Sequence, residues 1–164
     1  AIVCFPGVLY RGGAEKKIRS YLVDNNFVDT VIQLPENLFF GTGIVTCIMV
    51  LKRSKNDNSI LFIDASKEFL KSGNKNKLSS ENIDNILNAY IERKDKDHFA
   101  KIVPCTEVRE LDYNLTVSAY VEPEDTREKI DIVKVNAEIK EIVARQQVLR
   151  DEIDKIIEEI GEEA

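Results

Sequence analysis

An α/β fold followed by a long C-terminal helix is the class predicted for this chain, on three observations. Short β-rich runs, Ala1–Phe5, Phe27–Leu34, Ile44–Leu51 and Ile60–Asp64, alternate with segments of helical spacing. Glycine-rich turns, Gly7–Glu15 and Leu34–Ile44, follow directly on the first two runs. From residue 131 onward, apolar residues recur at alternating spacings of three and four. The 164 residues, 43% hydrophobic and 32% charged, are enough for one domain with a real core plus an appendage.

Each element has a local reason. Ala1–Phe5 reads as a strand stopped by Pro6-Gly7. The chain opens inside that strand with no initiator Met, so a piece of a larger protein is expected. Ala14–Asn25 has helical spacing with Ile18, Tyr21 and Leu22 on one face, and Asn25-Asn26 stops it. Phe27–Leu34 is a β-branched strand ended by Pro35. Ile44–Leu51 is almost wholly apolar, which predicts a strand buried on both faces. Strand, helix and strand suggest a crossover unit of a mostly parallel sheet. The connection between the second and third strands is too short for a helical crossover, so the third is predicted antiparallel to the second. Ile60–Asp64 is a further strand, after the polar loop Lys52–Ser59. Lys67–Lys77 reads as a surface loop. Ser79 or Ser80 caps a helix to about Arg93 with an Ile83, Ile86, Leu87, Tyr90 stripe. Asp95–Lys101 reads as charged linker, and Ile102–Val103 and Leu115–Val121 as short extended runs around Asp112-Tyr113-Asn114. Glu122–Arg127 marks the boundary, giving residues 1–121 as one part, 122–130 as linker and 131–164 as a coiled-coil-like tail.

In that tail Ile132, Val135, Ile139, Ile142, Gln146, Leu149, Ile153, Ile156 and Ile160 form an a/d seam, with Gln146 its one polar member. A seam this apolar calls for a partner helix. Charge is uneven within the total of −6: residues 1–53 carry +2, 54–123 carry −2 and 124–164 carry −6. The front part is thus mildly basic, which leaves a DNA contact there open. Cys4, Cys47 and Cys105 are far apart and odd in number, which fits reduced core thiols and a cytoplasmic setting. With no CxxC and only His98, no metal is expected. No apolar run is long enough for a membrane span.

Gly7–Glu15, Ile18-Arg19, Val31–Ile48, Lys67–Leu78, Asp112-Tyr113-Asn114-Leu115 and Tyr120-Val121, in that order, resemble the C-terminal half of the modification subunit of type I restriction–modification systems. These are adenine-N6 DNA methyltransferases. The resemblance implies a Rossmann-like sheet that binds S-adenosylmethionine, with Ala1–Phe5, Phe27–Leu34 and Ile44–Leu51 as its last three strands. It also implies that the cofactor loop and the Asn-Pro-Pro-Phe catalytic motif lie upstream. Neither occurs in these residues, whose only prolines are Pro6, Pro35, Pro104 and Pro123. No catalytic residue is therefore assigned among them. The implied partners are DNA, a specificity subunit docking on the C-terminal helix, a second modification subunit and a restriction subunit. Ala119 departs from the family, which commonly has arginine there. The alternative reading is a non-catalytic α/β scaffold with a helical oligomerisation tail.

Candidate site residues fall at the strand ends, where ligands sit in open α/β sheets. An enzyme acting on a base in duplex DNA must flip it out and hold it by stacking. Phe39 and Phe40 are adjacent aromatics in the right place, or else hydrophobic anchors of their loop. Thr42 and Gly43 shape the pocket wall or merely permit the turn. Arg11, Gly12 and Gly13 precede a helix and offer backbone N–H groups and a guanidinium to DNA phosphate, or form a plain helix entry. Lys16, Lys17 and Arg19 extend that basic face or are simply solvated. Lys71, Lys75 and Lys77, with Asn74 and Asn76, read as a mobile basic loop able to contact phosphate. Asp112-Tyr113-Asn114 is expected as an Asx-type turn held by a buried Tyr113 hydroxyl. His98 needs no function.

Overall fold

The computed structural model describes residues 1–124 and 132–162, with side chains described for 1–124, 135–153 and 157. β1 (Ile2–Cys4) is followed by one helical turn, α1 (Gly7–Tyr10), and by α2 (Ala14–Asp24). β2 (Val28–Gln33), β3 (Cys47–Leu51) and β4 (Ser59–Asp64) come next. A small hairpin, β5 (Leu70–Ser72) and β6 (Lys75–Lys77), precedes α3 (Ser80–Glu92). β7 (Ala100–Pro104), α4 (Cys105–Glu110), a 3-10 turn (Val117–Ala119) and the 31-residue α5 (Ile132–Glu162) complete the order. The chain divides into two compact units, the first ending at Glu124.

Five strands form one sheet in the order β1–β3–β2–β4–β7. The short β2–β3 connection does force that pair antiparallel. The expected mostly parallel sheet does not form: only β2 and β4 pair in parallel. β3 inserts between β1 and β2, so the strands joined by α2 share a direction without touching. β4 and β7 carry the sheet past the three strands that the resemblance implied.

Successive residues of a strand face opposite sides, and β4 shows the result. Ile60 and Phe62 enter one core with Val23 of α2, Val108 of α4, Leu115 and Val117. Leu61 and Ile63 enter the other with Ile32, Leu34 and Ile86, Ala89 and Tyr90 of α3. α3 begins at a full capping box, Ser79 with Asn82. It leaves Ile83 and Leu87 of the expected stripe exposed. It also leaves β3 half open on its side, so Ile48 and Val50 are only partly buried, and Ile44 lies outside the strand. A β-bulge at Asp29 turns its carboxylate, 2% exposed, toward Arg93 Nη1 at 3.1 Å and Lys52 Nζ at 3.3 Å. Arg93 caps α3 in the left-handed conformation and also reaches Asp57 at 3.4 Å.

Six local expectations are corrected. Gly7–Tyr10 is helical rather than a turn, and α4 occupies a stretch with no expected element. Residues 67–77 contain a paired hairpin, with Gly73 at φ +62° as the first turn residue, where a type II′ turn takes glycine. Ile18 and Tyr21 of α2 are exposed, and the buried face is Arg19 and Val23, one helical turn apart. Part of the charged linker, Ala100–Lys101, belongs to β7, and Val117–Ala119 is helical rather than extended. In α5, Val135, Ile139, Ile142, Gln146, Leu149 and Ile153 are exposed, and Val143 widens the apolar stripe. The side chains of Ile132, Ile156 and Ile160 lie outside the described residues.

Candidate nucleic-acid interface

Two loops leave the sheet along one row of paired residues. Cys4 closes β1, Gln33 closes β2 and Cys47 opens β3, and Cys47 is registered against both others. The next position in the row is Asp64, registered with Gln33, whose carboxylate accepts from the Ser66 N–H at 2.9 Å. The segments Phe5–Gly13 and Leu34–Thr46 therefore share one edge.

The first loop is held from within. Arg19, 3% exposed, donates from Nη1 to the Val8 and Arg11 carbonyls at 2.9 and 2.7 Å. Its Nε donates to the Tyr113 carbonyl at 2.9 Å. Burial lowers the Arg19 pKa below the ordinary arginine value, with Asp112 and Glu15 acting in the opposite sense. Arg19 is thus removed from the basic face expected for α2, and Lys16 pairs with Asp112. The Arg11 guanidinium lies over Gly7, where an added Cβ would sit 2.9 Å from Nε. Gly13 starts α2 at φ +73° with open space around it, so the glycine answers the backbone conformation and not crowding.

The second loop is braced from outside. Lys75 Nζ donates to the Phe39 carbonyl at 3.1 Å and the Thr42 carbonyl at 3.2 Å, engaging two of its three donors. Asn76 donates from Nδ2 to the Glu36 carbonyl and from its backbone N–H to the Asn37 carbonyl. The Thr42 hydroxyl accepts from the Ile44 N–H at 3.1 Å, and Gly43 leaves room for the Asn37 side chain. Phe40 is 98% exposed while Phe39 is 40% exposed. Lys71 and Lys77 are exposed on the hairpin, and Asn74 and Asn76 with Glu36 and Asn37 line a cleft of about 390 Å³. Among the described residues one buried side-chain oxygen has no partner, Oγ1 of Thr46, at the root of this loop.

The Asp112–Asn114 turn packs beneath the first loop. Asp112 and Tyr113 both have positive φ, and Asn114 Oδ1 accepts from the Thr116 N–H at 2.9 Å, the expected Asx geometry. The hydroxyl that holds it is Tyr120, not Tyr113: Tyr120 donates to the Asn114 carbonyl at 2.6 Å and stacks on Phe62. Tyr113 reaches Asp24 at the surface instead. Burial pushes the Tyr120 phenol up to about 12. Ala119 is exposed, and His98 Nδ1 meets the Glu122 carbonyl at 3.0 Å. Among the described residues no group of three or more His, Cys, Asp or Glu is arranged to hold a metal. Among them, too, no helix is long and apolar enough to cross a membrane.

Sequence reasoning missed Arg19 and Tyr120 as organising residues. For Arg19 a signal existed: it shares the helix face of Val23, four residues on.

The structure of the type I restriction–modification methyltransferase subunit from Streptococcus thermophilus superposes with a TM-score of 0.72 and 46% identity, over 74% of this chain and 26% of that one. The chain belongs to the N-6 DNA methylase family, whose model matches residues 1–129. The type I restriction enzyme MpnII methylase subunit of Mycoplasma pneumoniae is 49% identical over 161 residues. The MjaVII methylase subunit of Methanocaldococcus jannaschii is 39% identical over 165 residues. These alignments take in 98% and 97% of this chain, which spans only 30% and 29% of the two relatives.

Proposed function

We propose that these residues are the C-terminal part of an adenine-N6 DNA methyltransferase subunit of a type I restriction–modification system, working in the cytoplasm. Residues 1–121 complete a Rossmann-like catalytic sheet, 122–130 link, and 131–164 form a coiled-coil-like helix that docks on the specificity subunit through its heptad seam. DNA, a second modification subunit and a restriction subunit are the other partners. S-adenosylmethionine supplies the methyl group in the complete subunit. The residues present do not fit a site for it: neither the cofactor loop nor the Asn-Pro-Pro-Phe motif that the resemblance implies occurs among them, and the Gly7–Gly13 loop is closed over Arg19. The 164 residues alone therefore do not transfer methyl.

The observation that carries the reading is Phe40, almost fully exposed on a loop braced at four carbonyls and flanked by a basic hairpin. A large aromatic presented to water on a braced loop is suited to stack on an extruded base. Phe39, Thr42 and Gly43 form the wall behind it. Arg11, the Gly12 and Gly13 N–H groups, and Lys77 meet phosphates, with Lys75 contributing its remaining donor.

The test is tritiated methyl transfer from S-adenosylmethionine to DNA by the full-length subunit with its specificity subunit. Phe40→Ala should reduce turnover roughly 10- to 100-fold, the range of one base–aromatic stack, with unchanged circular dichroism. Wild-type turnover would reject the stacking role. Absence of both transfer and S-adenosylmethionine binding in the wild-type assembly would favour the scaffold alternative. In the same preparation, Ile139→Asp with Ile153→Asp should abolish co-purification of the specificity subunit, and unchanged recovery would reject the docking helix.

A further inference from the structure

Cys4 and Cys47 are directly opposed in the antiparallel β1–β3 pair, so their side chains share a face. Their sulfurs lie 3.3 Å apart. Opposed residues of such a pair have Cα atoms about 4.5–5.5 Å apart, inside the range that a disulfide spans. Closing the sulfurs to about 2.05 Å shortens their separation by about 1.2 Å. The two thiols differ in character. Cys47 is buried, and Cys4 is half-buried and opens onto a groove lined by Ile2, Val8, Ile18 and Leu22. With Cys47 as the donor, its S–H stabilises the Cys4 thiolate and lowers that thiol below the ordinary cysteine value, against the opposing effect of burial; the Cys4 carbonyl, also 3.3 Å from the Cys47 sulfur, is the other acceptor in its reach. The same hydrogen bond, with burial, pushes Cys47 up. Cys105 is fully buried and is pushed up by burial.

We infer that Cys4 and Cys47 form a peroxide-reactive dithiol site that closes to an intramolecular disulfide. The Cys4 thiolate attacks one oxygen of a hydroperoxide, the O–O bond breaks, and the sulfur becomes a sulfenic acid as hydroxide leaves. Cys47 then attacks that sulfur, the S–S bond forms, and the second oxygen leaves as hydroxide. The two thiol protons convert both hydroxides to water. In sum two thiols are oxidised and one hydrogen peroxide is reduced to two waters. A thiol reductant reverses the bond by exchange. The product fastens β1 to β3 at the row from which both candidate loops spring.

The experiment exposes the reduced full-length subunit to hydrogen peroxide under native conditions. Remaining thiols are then capped with N-ethylmaleimide, and the protein is digested without reduction for mass spectrometry. The expected result is a Cys4–Cys47 cross-linked peptide lacking two hydrogens, Cys105 recovered as its maleimide adduct, and loss of the cross-link after dithiothreitol. In Cys47→Ser the cross-link should vanish and a dimedone adduct should appear on Cys4. Recovery of Cys4 and Cys47 as separate maleimide adducts in the wild type would overturn the inference. So would a disulfide through Cys105.

Discussion

Two loops spring from the same edge of the sheet and are held in opposite ways. Phe5–Gly13 is gathered by one buried cation that takes carbonyls from Val8 and Arg11 and ties them to Tyr113. Leu34–Thr46 is supported by surface donors on a separate hairpin, Lys75 and Asn76. An internal clamp couples loop shape to the stability of the whole unit, because its removal strands polar groups away from water. An external brace couples loop shape only to the hairpin, because water can replace what it gives. The first loop should therefore fail globally and the second locally.

The strongest way to break that contrast is Arg19→Met, which keeps apolar bulk and deletes the donors. Leaving these part-buried carbonyls unpartnered should cost about 2–3 kcal/mol, read as a lower urea midpoint of the full-length subunit. An unchanged midpoint would place the clamp elsewhere. Next comes Tyr120→Phe, which removes the hydrogen bond to Asn114 and should cost about 1–2 kcal/mol. Tyr120 also sets a pH limb. Its folded pKa is raised from 10.0 to about 12, so the folded state keeps a proton that the unfolded state releases. That contribution is complete below pH 10 and is lost as pH climbs from 10 to 12. Urea unfolding at pH 9 and pH 11 should show a steeper alkaline loss in wild type than in Tyr120→Phe, and equal slopes would contradict the assignment. The smallest global effect belongs to Lys75→Ala with Asn76→Ala, about 1 kcal/mol or less. Amide exchange over residues 36–43 should nevertheless accelerate by an order of magnitude, and unchanged exchange would show that the loop holds itself.

Much of the sheet was legible because β2 and β4 are covered on both faces, so β4 reads as an apolar run and β2 as a β-branched one broken by Asp29. The short connection gave the sense of β3 for the same kind of reason. α3 announced itself through Ser79 or Ser80 as a cap before the Ile83, Ile86, Leu87 and Tyr90 stripe. What escaped has no such local signal. Cys105–Glu110 is too short for a period to show, and its helix is sustained by burial of Cys105 and Val108. The β5–β6 hairpin has a Lys- and Asn-rich sequence that reads as loop, and its pairing follows from bonds to Glu36 and Asn37 some forty residues away. β7 hides behind charges because its edge position leaves Lys101 free to face solvent. At the candidate site, glycines and aromatics marked where the loops lie. Which cation clamps, which braces and which stays free depends on tertiary distances that one-dimensional spacing does not carry.

Arg93 has a consequence for anyone wishing to harden this scaffold. A residue ending a helix at φ +47° is the usual place to install glycine, which relieves left-handed backbone strain of about 1 kcal/mol. Here that exchange would delete one of the two cations that, among the described residues, form ion pairs with the Asp29 carboxylate, which the bulge has drawn into the interior. An underpaired buried carboxylate costs several times the strain removed. Sequence-average engineering would thus choose the wrong residue, and any safe gain at this helix end has to begin by retiring Asp29.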